Sequence, residues 1–318
     1  MMRFVFAAIL LNFLMPFEGS GQPKLAAWGE AWSHHNWAGN NLSPGYDFFI
    51  NTTVVRGGPR LFLTRKEGKS LSLDPYIQFE SVTDVFDQKH RNIFNNNGKA
   101  AVGAKWFYRN YSHDYFIEYF QFELYTEHRW LINYSAANNE LFAKLGRKDH
   151  WTGLRCWSNS SSDEYLLGYE LWNDFSYRKT NFSDKGNENY LIMTLSPVVL
   201  LHPFGILRNS PLERLSFTYN PELVVDMLGK EWNSNPYSNR FLNRLGMRYI
   251  IPVKLFQKHS GFETSIFSVN LLFYADYTMV TTLRTIKGWD LPDSDTRAGI
   301  ILYIPFGNNE FNQFIKRL

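Results

Sequence analysis

The sequence predicts an all-β chain, an antiparallel up-and-down transmembrane β-barrel of about twelve strands, within a range of roughly 10–14. Three observations predict it. Segments of roughly ten residues repeatedly carry apolar or aromatic side chains at every second position, with polar ones between. Aromatic residues make up 17% of the chain, an excess that suits the interfacial girdles of a barrel. The mean hydropathy is −0.33, and after the first residues no run approaches the ~18 apolar residues of a membrane helix.

The elements follow in order. Residues 1–21 read as an export signal: Arg3 opens it, Phe4 to Met15 is apolar apart from Asn12, and Gly19 and Gly21 suit cleavage before Gln22. Residues 22–306 are expected to form the barrel and 307–318 a C-terminal tail that plugs the lumen or lies along the periplasmic rim. Strands are expected near 27–37, 46–55, 60–65, 74–83, 99–110, 114–125, 128–137, 165–178, 190–201, 213–226, 244–255, 262–275, 277–286 and 297–306. Some of these should merge, since each hairpin returns the chain to the same side and an even count near twelve follows. Between them lie turn-forming clusters such as Gly57-Gly58-Pro59, Asn95 to Gly98 and Ser158 to Asp163.

The alternation fixes orientation. From Arg214 to Asp226 one face reads Leu215, Phe217, Tyr219, Pro221, Leu223 and Val225, and the other Arg214, Ser216, Thr218, Asn220, Glu222, Val224 and Asp226. In 99–110 Val102 and Trp106 oppose Lys99, Lys105 and Arg109, and in 244–255 Leu245 and Met247 oppose Arg244 and Arg248. A charge facing lipid at mid-bilayer costs about 2–4 kcal/mol, so the charged faces should line the interior. A soluble sandwich with one wet face is the alternative architecture. The expected lumen-lining set is Lys99, Lys105, Arg109, Glu170, Asp174, Arg178, Arg214, Glu222, Arg244, Arg248, Arg284 and Arg297. Such a lining either selects a polar or anionic solute or is a salt-bridged filling.

The net charge of +3 gives no reason to expect a nucleic-acid partner. Cys156 is the one cysteine, so no intrachain disulfide forms; a large exported chain without disulfides suits a Gram-negative bacterium. No metal or cofactor motif occurs, and scattered loop aspartates such as Asp84 and Asp295 lack EF-hand spacing. His34 and His35, beside Glu30, point to opposite faces of a strand and cannot share one metal from regular structure. There is no Gly-x-Ser-x-Gly elbow. A lipid-modifying barrel hydrolase would need a Ser–His pair within hydrogen-bond reach on the outer wall, and neither Ser135 nor Ser176 has a histidine at a spacing that supplies one.

Three stretches together resemble a known family: Asp74 to Asp84, Tyr169 to Phe182, and Trp289-Asp290 leading to Arg297-Ala-Gly-Ile-Ile301. They are similar to the outer-membrane barrel module of exopolysaccharide-export and phage-adsorption proteins. The resemblance implies a barrel that passes a glycan chain across the outer membrane, with periplasmic export components as partners. The helical repeats that recruit those partners in the family are not found in this sequence, and the family supplies no catalytic residue. The expected function is therefore a non-enzymatic outer-membrane pore or export channel for a polar solute such as a surface polysaccharide. The alternatives are a non-conducting receptor or adhesin, a lipid-modifying hydrolase, and a secreted carbohydrate-binding sandwich.

Overall fold

Every described strand pairs antiparallel with its sequence neighbours, and the first pairs with the last. The computed structural model describes residues 24–40, 47–66, 69–86, 96–111, 117–133, 148–160, 166–183, 186–204, 210–228, 239–260, 263–282 and 294–307. They form β1 (Lys24–Asn40), β2 (Asp47–Lys66), β3 (Lys69–Asp84), β4 (Asn97–Tyr111), β5 (Tyr119–Asn133), β6 (Lys148–Asn159), β7 (Leu167–Ser183), β8 (Gly186–Leu201), β9 (Leu215–Asp226), β10 (Arg240–Ser260), β11 (Glu263–Thr282) and β12 (Ser294–Gly307). The β1–β12 seam runs from Trp28↔Gly307 to Asn40↔Asp295 and closes the barrel. Closure pairs the backbone polar groups of all twelve strands and leaves no sheet edge. Residues 1–21, expected to be an export signal, and residues 308–318 of the expected tail lie outside the described residues.

The expected strands convert to the observed ones by three mergers and one addition. Segments 46–55 and 60–65 are one strand, β2; 114–125 and 128–137 become β5; and 262–275 and 277–286 become β11. The added strand is β6, for which the sequence pattern gave no candidate.

Gly57-Gly58-Pro59 is therefore no turn but the middle of β2. Here β2 closes tightly on β3: a Cβ on Gly58 would sit 2.2 Å from the Pro75 carbonyl oxygen. Gly58 marks the close backbone approach that glycine alone permits in a strand.

The two faces of the wall have opposite chemistry. Ile77 and Phe79 on β3 are each 56% exposed, and Met247 on β10 is 47% exposed, all pointing outward. On the opposite parity of β3, Asp74, Tyr76 and Gln78 are buried and point inward. No helix of the described residues is long and apolar enough to cross a membrane.

The two ends of the barrel also differ. Strands β1 and β2, β3 and β4, β5 and β6, β9 and β10, and β11 and β12 are joined at one end through 41–46, 85–96, 134–147, 227–239 and 283–293. The other end carries the shorter connections 67–68, 112–118, 160–166 and 261–262. Three connections break the trend, 41–46 and 184–185 at the first end and 202–214 at the second, where a 3-10 turn (Pro211–Arg214) precedes β9.

Candidate functional site: the charged lumen

Inward positions of β1 to β7 bring cations and carboxylates together on neighbouring strands. Arg60 of β2 grips Asp74 of β3 in a bidentate pair, with Nε 3.0 Å from both carboxylate oxygens and Nη2 2.8 Å from Oδ2. Both side chains are essentially sealed, at 1% and 0% exposure. Arg56 pairs with Glu30 across β1–β2, and Lys105 donates to Glu123 across β4–β5 at 3.1 Å. Arg155 of β6 binds Asp174 of β7 at 2.8 Å and lies 3.9 Å from Glu123. Arg129 pairs with Glu127 on β5 itself, two residues away. Buried charges of this kind persist only where partners are near and well oriented.

Aromatic rings are stacked into the same network. Lys105 Nζ lies 4.3 Å from the Trp28 ring centre and 4.4 Å from that of Phe107. The Arg109 guanidinium covers Phe107 at 4.0 Å, and Arg129 and Arg178 approach Trp151 at 3.6 and 4.0 Å. Such contacts strengthen when desolvated.

Some links skip a strand. Tyr76 of β3 reaches over β4 to donate to Glu127 of β5 at 2.6 Å. It crosses at Gly103, where a Cβ would lie 2.6 Å from the tyrosine ring. Tyr125 of β5 likewise reaches Asp174 of β7 at 3.2 Å. The longest link is Arg248 of β10 to Glu170 of β7, 3.0 Å, which passes in front of β8 and β9.

Part of this network borders a half-open cavity of about 340 Å³. Its charged lining is Glu30, Arg56, Arg60, Lys105, Arg109 and Glu123. Its aromatic lining includes Trp28, Trp157, Trp172 and Tyr303. Tyr303 donates to Glu30 at 2.7 Å, which ties β12 to this wall.

The structure places the expected lining residues as follows. Lys99 pairs with Glu80 at 2.6 Å, Lys105 with Glu123, and Glu222 with Arg244 at 3.0 Å. Arg297 pairs with Asp295 at 2.6 Å and Glu170 with Arg248. Arg178 donates to Ser176 at 2.9 Å beside Asp174, and Arg109 is buried. Arg214 ends the 3-10 turn and is exposed, so the strand expected from 213 starts at Leu215 instead. Arg284 lies outside the described residues.

Sequence reading missed much of the densest part, namely Glu30, Arg56, Arg60, Asp74, Glu123, Glu127 and Arg155. Arg56 and Arg60 flank a segment read as a turn, and Arg155 sits in the strand that was not recognised. A useful signal was available in β5, where Glu123, Tyr125, Glu127 and Arg129 share one face at period two.

No family model matches the chain, and no curated protein matches it. Solved structures do match, at low similarity. The translocator domain of the autotransporter NalP from Neisseria meningitidis is 10% identical, with 96% of this chain and 95% of that one covered and a TM-score of 0.34. The KdgM porin in complex with disordered oligogalacturonate is 11% identical over 87% of this chain and 99% of that one, TM-score 0.37. The anion-selective porin from Comamonas acidovorans is 8% identical over 90% and 100%, TM-score 0.33. None of these three is an exopolysaccharide-export or phage-adsorption barrel, and values this low bear on neither solute nor partner.

Proposed function

We propose that this chain is a bacterial outer-membrane β-barrel that passes a small polar or charged solute through its lumen. The observation that supports it is the inverted wall. Outward Ile77, Phe79, Leu245 and Met247 present apolar surface, while inward Arg60, Asp74, Lys105 and Glu123 are buried among charges. A closed barrel of this polarity is at home in a bilayer and not in water. The end bearing most of the longer connections then faces outward from the cell.

Pairing between neighbouring strands holds both signs of charge along the inner wall. A solute that passes must exchange hydrogen bonds with arginine and carboxylate groups, which favours a polar hydroxylated or ionic molecule over an apolar one. Flat aromatic faces beside those charges suit a saccharide, and a surface polysaccharide handed over by periplasmic export components is the finer form of this reading. A non-conducting receptor barrel is the competing form; the Arg248–Glu170 link across the lumen favours it.

Planar-bilayer recording of the refolded chain tests the proposal. Heat-dependent gel migration shows first that the barrel is closed. Discrete conductance is expected, and replacing Arg244 and Arg248 by Glu should shift ion selectivity toward cations. A closed barrel that stays silent at every voltage would overturn the pore and leave the receptor.

A further inference from the structure

Among the described residues the outer wall is polar in places where apolar side chains are expected: around Thr126, His150 and Thr152 on β5 and β6, and in a more fully connected block on β1 and β2. In β1, Ser33 and His35 are two residues apart and share the outward face; opposite them in β2 stand Thr53 and Asn51. His34, between them, turns inward and bonds Tyr274. The histidines are thus separated by the wall, and the significant neighbour of His35 is Ser33.

The four side chains are connected. His35 Nδ1 lies 2.8 Å from Asn51 Oδ1. An amide oxygen only accepts, so Nδ1 carries the proton and Nε2 keeps its lone pair. The Ser33 hydroxyl lies 3.1 Å from that Nε2 and donates to it. Thr53 Oγ1 lies 3.1 Å from Ser33 Oγ on the other side. With the Ser33 proton directed at His35, Thr53 donates to Ser33.

We infer that Ser33, His35 and Asn51 form a hydrolytic triad for a carboxylic acyl ester of membrane lipid. The geometry supplies nucleophile, base and orienting group in hydrogen-bond sequence, the arrangement by which such triads are recognised whatever their order in the chain. The location supplies the substrate. One layer toward the long connections, Trp37 and Phe49 stand opposite one another on the outward face, as in an aromatic girdle at the membrane–water boundary. On the β12 side the block is flanked by Ile300 and Leu302, apolar surface for an acyl chain. The triad therefore sits just inside the interface, at the depth of lipid ester linkages. The inference rests on the outer-membrane placement proposed above, but not on conduction.

The chemistry balances with water as the only co-reactant. Ser33 Oγ attacks the ester carbonyl carbon as its proton passes to His35 Nε2. The tetrahedral adduct collapses, the bond to the lipid alcohol oxygen breaks, and that oxygen takes the proton from Nε2. Water then attacks the acyl-serine, giving a proton to Nε2. The carbon–Oγ bond breaks, the fatty acid leaves, and Ser33 regains the proton. Thr53, whose hydroxyl lies 3.1 Å from Ser33 Oγ, is the side chain assigned to donate to the oxyanion in both steps. Asn51 is a positioning residue that holds the imidazole tautomer.

The test uses the full chain, heat-modifiable and refolded into vesicles, and the same chain in isolated outer membranes. Vesicles of phosphatidylethanolamine and phosphatidylglycerol form one arm and lipopolysaccharide the other, with released fatty acid as readout. A fluorescent alkylphosphonate probes the serine directly, and the adduct is mapped by mass spectrometry. Hydrolysis in one arm and an adduct on Ser33 are expected; the active arm identifies the lipid. Ser33→Ala should lower the rate by about 10³-fold or more and abolish the adduct. Asn51→Ala should lower kcat with KM little changed, with partial rescue in Asn51→Asp. Thr152→Ala, on the far side of the barrel, should leave the rate unchanged. A closed wild-type barrel that neither releases fatty acid in either arm nor takes up the phosphonate would overturn the triad, whatever its conductance. So would an adduct on another residue.

Discussion

The β1–β7 half of the lumen and the β8–β12 half solve the same problem differently. In the first, Arg60, Asp74, Lys105, Glu123 and Glu127 are packed against Trp28, Tyr76 and Phe107 and almost wholly withdrawn from solvent. In the second, many inward positions of β8 and β9 are small or aliphatic, as with Ser196, Val198, Ser216, Thr218 and Val224. The ion pairs its arginines make are more open than Arg60–Asp74 or Lys105–Glu123: Arg244–Glu222 has side-chain exposures of 22% and 14%, and Arg248 with Glu170 of β7 has 27% and 34%. Charge count alone would rank the halves as merely more and less polar. Burial says more. A sealed pair becomes an uncompensated charge when one partner is removed, whereas an open pair exchanges its partner for water.

Removing Asp74 should therefore have the largest effect. Asp74→Ala leaves the Arg60 guanidinium buried between Phe107 and Trp28 with its bidentate partner gone, at a cost of about 3–5 kcal/mol. The same truncation at Glu222, in the open half, should cost about 1 kcal/mol or less. Urea titration of refolding, read by heat-dependent gel migration, measures both. Equal losses would show that the sealed and open pairs do not differ as their burial implies.

The outer wall gives the next effect. Met247 projects outward among Phe217 and Ala275, its register partners on β9 and β11. Met247→Lys should cost about 2–4 kcal/mol if that position faces the middle of a bilayer. The reference change is one residue away in sequence and on the other face, Arg248→Lys, which should be nearly neutral. A neutral Met247→Lys would mean that this side of the barrel faces water or protein and would count against membrane placement.

How far these features could be read from the chain depended on whether the alternation was intact. β4, β9 and β10 were legible because apolar residues keep the outer register and charges the inner one. β6 was not. Its inward face carries Trp151 and Trp157 with Asp149 and Arg155, and its outward face His150, Thr152 and Cys156, so the two faces scarcely differ in polarity. A lumen that stacks aromatics under guanidinium groups erases the signal that locates its own strand. β2 was split for another reason: Gly57-Gly58-Pro59 has the composition of a turn, and only the close approach to Pro75 shows why the strand runs through it. The outer polar block was visible in principle. Ser33 and His35 have the period-two spacing of one strand face, but Asn51 is brought to them by β1–β2 register, which one sequence does not encode locally.

Breaking the link across the lumen should have the smallest effect on stability and the largest on passage. Arg248 and Glu170 are each partly exposed, so the double substitution Arg248→Ala, Glu170→Ala should change stability by less than about 1 kcal/mol. It also removes two long side chains that meet from β10 and β7 in front of β8 and β9. If that meeting point narrows the path, single-channel conductance should rise without any change in heat-dependent migration. Either single substitution should raise it less, because the remaining long side chain still projects into the lumen. A rise confined to the double variant would make the pair a latch that works only when both halves are present. No rise in any variant would place the narrowest point in the sealed half, among Lys105, Glu123 and Trp157. There the same experiment could not be done without unfolding the wall, since the groups that would have to be removed to widen the path are those whose pairing keeps buried charge tolerable.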